Sequence, residues 1–309
     1  MQPQNQIHSN LLIKLYLLIL LSEVLIFSSC IHEEPGICED KQQMIQVQIL
    51  PQWDSQVQLP KGMRVLFYSL DTHKYVQDNF SAQGGEAEIR TGNYQFIIYN
   101  NDSEKIRIRN TENYESAEAY TSKISRPSYN SPVNDEETYG QPDIFWLDRI
   151  ESFKVSSKSS VVRFYPQQVV FFYNGRVEVD GMEDVQEVRG AITGILGSVK
   201  LYTGKTNKPS TLFFDAFKEK QDIVFSFRSF GIYNQGVTPV KQYLVLEFLL
   251  PNGIVQRNID ISEQMENLLQ GGYVRVKDKI TIPPDTTGTD NGFNANVEDW
   301  KEIIYPIEI

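Results

Sequence analysis

The chain is short of the residues from which most enzyme sites are built. Its 309 residues include three histidines and two cysteines. His8 lies near the amino terminus, leaving His32 in a polar stretch and His73 in a loop-like Asp-Thr-His-Lys-Tyr segment. That number excludes a histidine-rich zinc site, and Cys38 has no partner for a cysteine-based one. A Ser-His-Asp arrangement would have to recruit His32 or His73, and neither sits in a nucleophile motif. Tryptophan is also scarce, at Trp53, Trp146 and Trp300. Positive charge is in deficit: 29 Lys and Arg against 40 Asp and Glu give a net charge of −11. Such a surface repels phosphate and excludes a nucleic-acid binder. The apolar run at residues 15–27 falls short of the roughly 20 residues of a membrane span, and Glu23 interrupts it.

That run belongs to a different device. Lys14, residues 15–27 and then Ser28-Ser29-Cys30 follow the order of a signal peptide: positive start, apolar region, small residues. A cysteine directly after the small residues fits a lipobox, so residues 1–29 read as a bacterial lipoprotein signal. Cys30 then becomes the acylated first residue of the mature chain and its link to the membrane. With Cys30 carrying lipid, Cys38 cannot form an internal disulfide. Residues 30–43 read as a lipidated polar stalk. Ile31 after the cysteine favours the outer membrane, and Glu33-Glu34 resembles an acidic tag for export to the cell face.

From Met44 onward the pattern is β. Ile45, Val47 and Ile49 alternate with Gln46 and Gln48, the period of a half-buried strand. MRVLFYS (63–69), YQFIIYN (94–100) and KIRIR (105–109) continue it, with Gly84-Gly85 and Gly92-Asn93 as turns. Residues 110–141 are polar, with few aliphatics, and read as a long loop that either links domains or presents Tyr114, Tyr120, Tyr129 and Tyr139 to a partner. Further on, Asn174-Gly175 reads as a hairpin turn between strands at 169–173 and 176–180. Leu244, Leu246, Phe248 and Leu250 face one way before a Pro251-Asn252-Gly253 turn. Only residues 262–269 look helical, with Ser262 as N-cap. Many short strands with almost no helix imply an all-β protein of antiparallel sandwiches, divided as 44–141 and 142–309.

Candidate chemistry is thin. Gly204-Lys205-Thr206 mimics the end of a phosphate loop, but six residues rather than four separate Gly197 from Gly204, so a turn is expected. The acid clusters Asp135-Glu136-Glu137 and Glu183-Asp184 read as solvated loops. The Asp285-to-Asn291 segment offers oxygen ligands without the spacing of a calcium loop, and Asp285-Thr286-Thr287 matches a short O-glycosylation acceptor at Thr286. No metal or cofactor site is assigned, and the chain does not read as an enzyme.

The order of these features carries a resemblance. A lipobox cysteine, a second cysteine, the first strand, Trp53, MRVLFYS and GEAEIRTGNYQFIIYNNDSEKIRIRN precede a long polar loop, and NGFNANVEDWKEIIYPIEI closes the chain. The sequence resembles the fimbrillin-associated lipoproteins, a group similar to type V pilus anchor and accessory subunits and known mostly as a domain of unknown function. The resemblance implies two transthyretin-like β-sandwich domains in a Gram-negative outer-membrane lipoprotein. It would anchor or join a surface fimbria and bind fimbrial subunits by β-strand addition. Ile303, Tyr305, Ile307 and Ile309 alternate along an apolar carboxyl-terminal face and are the candidate partner strand, with Pro306 marking an edge or a bulge. The alternative is a surface glycan-binding lipoprotein, which needs exposed aromatic platforms. A Cys30→Ala substitution should leave the precursor uncleaved or release soluble protein; normal maturation and membrane retention, read by mass and fractionation, would defeat the lipoprotein assignment.

Overall fold

The computed structural model describes residues 43–54, 58–158, 161–206, 208–234, 239–276 and 279–282, with the backbone of 303–306. Strand β1 (Met44–Pro51) buries Val47 and Ile49 and exposes Gln46 and Gln48, as its alternation requires. It lies between β4 (Gly85–Arg90), antiparallel, and β10 (Val161–Phe164), parallel. Facing this three-stranded sheet is a five-stranded one. There β2 (Met63–Ser69) pairs with β3 (Tyr75–Phe80) and β5 (Gly92–Asn100), and β9 (Trp146–Val155) joins β5 to the two-residue β11 (Gln167–Gln168). Val47, Ile49, Val65, Phe67, Phe96, Ile98, Val162 and Phe164 form the core between the two sheets.

The central strands of the five-stranded sheet do not alternate. Leu66, Tyr68, Ile97 and Tyr99 on its other face are as buried as Val65 and Phe67. They pack with Ile106, Tyr114, Ala119, Phe145, Leu196, Val199, Leu201 and Phe230. This second core belongs partly to a small sheet of β6 (Ile106–Arg109), β7 (Glu118–Thr121) and β14 (Ser198–Lys200). Glu118 fastens that sheet: it accepts from Arg109 Nε at 2.8 Å and Ser198 Oγ at 2.7 Å, with Lys200 Nζ 3.5 Å away. Burial pushes the Glu118 carboxyl up, but the bonds from Arg109 and Ser198 outweigh it and hold the group below the usual range.

The carboxyl-terminal half is one large sheet ordered β19 (Gly272–Arg275), β12 (Phe171–Asp180), β16 (Asp222–Ser229), β15 (Ser210–Glu219), β13 (Glu187–Ile195), β17 (Tyr243–Leu250), β18 (Gly253–Asp260) and β21 (Ile303–Pro306). The short β8 (Glu137–Tyr139) and β20 (Ile280–Thr281) pair in parallel with β15 and β12. Val179 on β12 and Val255 on β18 meet in one core, so the sheet curls around it. Within it Tyr173 and Phe227 stack at 4.8 Å and Phe227 and Phe214 at 5.1 Å, while Phe214 and Phe225 meet at a tilt at 5.6 Å.

The all-β expectation holds, and the Pro251-Asn252-Gly253 turn connects β17 to β18 as read. Other details differ. Strand pairing places residues 146–168, from beyond the expected boundary at 141/142, with the amino-terminal sheets, while β7 and β8, from before it, pair with β14 and β15. The second core joins the two halves, and the described residues from Met44 onward form one unit. Asn174-Gly175 is no turn: β12 runs straight through it, because Phe225 lies over Gly175 and Phe214 over Gly190. A Cβ at Gly175 would sit 2.1 Å from Phe225 Cζ. The helix is the single turn α1 (Ser262–Met265). Ile261 takes the N-cap position while Ser262 Oγ is engaged by Asp260 and the Gln242 amide. Replacing Gly175 by alanine should lower stability by about 1–3 kcal/mol in urea unfolding, the usual cost of overpacking. Unchanged stability would mean that the Phe225 ring has room to move.

Candidate functional site: a strapped sheet and its edges

Residues 110–141 are not the exposed connector their composition suggests. Their first part carries β7 and buries Tyr114 and Ala117; their second part crosses the outer face of the large sheet as a strap. Arg126 reaches Glu247 Oε2 at 2.5 Å, donates to the Gly190 carbonyl at 3.3 Å and lies 4.3 Å over the Phe213 ring. Glu247 is 1% exposed, and its Oε1 has no partner among the described residues. Tyr129 meets Phe213 edge-on at 5.0 Å above Ala191 and Val245. Gln256, also 1% exposed, accepts from the Asn130 amide at 3.0 Å and returns a bond to its carbonyl at 2.6 Å, much as a neighbouring strand would. Glu136 ends the strap, accepting from Thr211 Oγ1 at 2.8 Å and from the Gly194 amide at 3.2 Å. Burial pushes the Glu136 carboxyl above its ordinary value despite those bonds.

The strap meets the carboxyl-terminal strand at Gln256. Its backbone partner is Ile303 in β21, followed by Val255 with Ile304, Ile254 with Tyr305 and Gly253 with Pro306. β21 is the last strand of the sheet, a place where the missing donor of Pro306 is tolerated. Of the candidate strand residues, Ile303 and Tyr305 are thus paired within the chain, while Ile307 and Ile309 lie outside the described residues. So do Cys30, Cys38, Thr286, Trp300 and the Asp285-to-Asn291 segment.

Other candidates resolve plainly. Trp53 donates its indole N–H to the Ala82 carbonyl at 2.7 Å and packs edge-on against Trp146 at 5.6 Å, so neither ring forms a platform. Tyr114 and Tyr139 are buried and Tyr120 and Tyr129 half-buried, against the expectation of a tyrosine surface. Glu137 pairs with Lys123 at 2.5 Å, Glu183 and Asp184 are exposed, and His73 is exposed in a turn. Gly204-Lys205-Thr206 is the turn expected, with Thr206 beside Ser198 at 3.2 Å. No group able to hold a metal occurs among the described residues, and no helix there is long and apolar enough to cross a membrane. The edge that sequence reasoning passed over is β3. Without a partner beyond β2 among the described residues, it exposes four consecutive residues, including Val76 at 56%, and contains no proline or lysine.

A family model described as "Domain of unknown function (DUF5119)" matches residues 29–215. The chain belongs to this DUF5119 family. The match covers every strand from β1 to β14 and stops inside β15, partway across the large sheet. Over 321 aligned residues the DUF5119 chain is 29% identical to the "Putative fimbrium anchoring subunit Fim4B" of Bacteroides ovatus, covering 92% of this chain and 94% of that protein. A crystal structure described as a "putative adhesin" from Bacteroides ovatus superposes with a TM-score of 0.67 at 25% identity, over 80% of this chain and 95% of its own. The resemblance carried by Trp53, MRVLFYS and the closing segment agrees with these matches.

The strap offers a test with a definite sign. A carboxyl whose folded pKa is raised stabilises the fold below its unfolded pKa, and that contribution is lost as pH rises through the folded value. Glu136→Gln keeps an acceptor without the charge. It should therefore raise the melting temperature at pH 7 relative to the parent and erase the difference near pH 4. A variant less stable at pH 7 but not near pH 4 would show instead that the Glu136 charge supports the strap.

Proposed function

We propose that this chain is an anchoring or accessory subunit of a surface fimbria, an outer-membrane lipoprotein tethered through acyl chains on Cys30. The observation that carries the reading is the nearly end-to-end match to the relative named as a fimbrium anchoring subunit. The role is structural rather than catalytic: the chain supplies sheets and edges for other subunits. One such edge is β3, which has no strand beyond it among the described residues; apart from the Asn79 amide, held by Asp78 Oδ1 at 2.7 Å, its outward backbone groups offer an added strand its ladder of hydrogen bonds. The terminal strand is the second element of this reading, closing its own sheet at β18 or completing a neighbour's.

Two changes separate these parts. Val76→Lys together with Asp78→Lys places cations on the open edge without touching a core. It should leave the melting temperature unchanged while abolishing co-purification of fimbrial subunits from native membranes; full co-purification would remove β3 as the docking edge. Deleting residues 303–309 reads the other strand. A destabilised monomer marks a closing strand, whereas an intact monomer that no longer joins subunits marks a donated one. If neither stability nor assembly changes, the terminal strand has no part in assembly.

A further inference from the structure

Phe172, Tyr273 and Phe217 are 44%, 52% and 61% exposed, and all three lie on one outer face of the large sheet. The burial pattern of β12 turns Phe172, Asn174 and Arg176 outward while Tyr173, Gly175 and Val177 face the core. Tyr273 is the register partner of Asn174. It is therefore a diagonal neighbour of Phe172, about 7–8 Å away and within reach of an aromatic ring. Phe217 pairs with Val224, which pairs with Arg176, which pairs with Arg275. This row sets Phe217 roughly 14 Å, three strand spacings, across the sheet from β19. A shallow depression of about 520 Å³ lies beside Tyr273, lined also by Arg176, Glu178, Asp222, Arg275 and Val276.

We propose that this face is a binding platform for a neutral oligosaccharide spanning at least two sugar rings, a function separate from assembly at the sheet edges. The chemistry of the row selects the ligand. An aromatic face is electron-rich and receives the C–H face of a pyranose; Tyr273 offers one such ring, and Phe172, with the Arg228 guanidinium 6.0 Å over it, offers a second ring with a donor beside it. The groups between the rings alternate in kind. Arg176 and Arg275 donate, Asp222 and Glu178 accept through the lone pairs left by their ion pairs with Arg176 at 3.5 Å and Lys279 at 3.0 Å, and Asn174 does both. Hydroxyl groups, themselves donors and acceptors, match that mixture. A purely acidic or purely basic partner would match half of it and be repelled by the rest. Arg176 is paired with Glu219 and, at 3.5 Å, with Asp222, which narrows the orientations of its remaining N–H groups before a ligand arrives. Patches of exposed aromatic side chains mark interaction sites, and this one lies open along the sheet, suited to a chain of sugars.

The test uses the full chain in a detergent without sugar headgroups. Cellotetraose, maltotetraose, xylotetraose, mannotetraose and chitotetraose are titrated calorimetrically, with polygalacturonate as the acidic comparison. At least one neutral tetrasaccharide should bind at millimolar affinity or tighter. Tyr273→Ala and Phe172→Ala should each weaken it tenfold or more, at unchanged melting temperature. Tyr165→Ala, an equally exposed ring outside this face, should have no effect. No binding across the neutral panel, binding indifferent to Tyr273 and Phe172, or binding of polygalacturonate alone would overturn the proposal. So would self-association in sedimentation that Phe217→Ala abolishes, since a second copy would then be the occupant. These results leave co-purification of fimbrial subunits untouched and so are read separately from it.

Discussion

A β-sheet that is apolar on both faces needs two partners, and that requirement shapes this protein. The strands β2 and β5 bury Val65, Phe67, Phe96 and Ile98 on one side and Leu66, Tyr68, Ile97 and Tyr99 on the other. The first side is satisfied locally by β1, β4 and β10. The second is satisfied only by residues far along the chain, among them Leu196, Val199, Leu201 and Phe230. Each buried large apolar side chain contributes about 1.5–3 kcal/mol relative to exposure, so leaving this face uncovered would forfeit a sizeable part of a stability that is marginal in any domain. The halves of the chain therefore share a core, and an isolated amino-terminal sandwich would expose Leu66 and Ile97 to water.

The strap answers the same problem on the large sheet with polar means. Ala191, Phe213 and Val245 make a small apolar patch, too small to attract another sheet. Residues 122–136 cover it with Tyr129 and the Arg126 guanidinium, and Glu247 and Gln256 rise from the sheet to hold them. Removing one member of the Arg126–Glu247 pair would strand the other, which commonly costs 3–5 kcal/mol at a buried site. Gln256 joins two events that sequence distance hides: its side chain grips the strap while its backbone pairs with the terminal strand.

Much of this was legible in the residues. Alternation at Val47 and Ile49, and at Leu244 to Leu250, gave strands where they occur, and Pro251-Asn252-Gly253 gave the turn. The misreadings have physical causes. Asn174-Gly175 carries the composition of a hairpin turn, but Gly175 serves a different need, space for the Phe225 ring. Ser262 has the side chain of an N-cap and spends it on Gln242 and Asp260 instead. The stretch at 110–141 is polar because its partners are polar, not because it is free. A single sequence shows that Arg126 is charged; it cannot show Glu247 waiting 121 residues later. The aromatic face eluded notice for a related reason: Phe172, Phe217 and Tyr273 are seen to share one face only once the register of four strands is known.

The position of β1 has a mechanical consequence. It is the first described strand, held along its length by six residue pairs with β4 and four with β10. A pull on Met44 directed along β1 loads these ladders in shear, so the bonds resist together rather than opening one after another. A pull across the strand would unzip them in sequence at far lower force. The direction in which a pull on Met44 is best resisted is thus set by one strand, β1, and its two ladders.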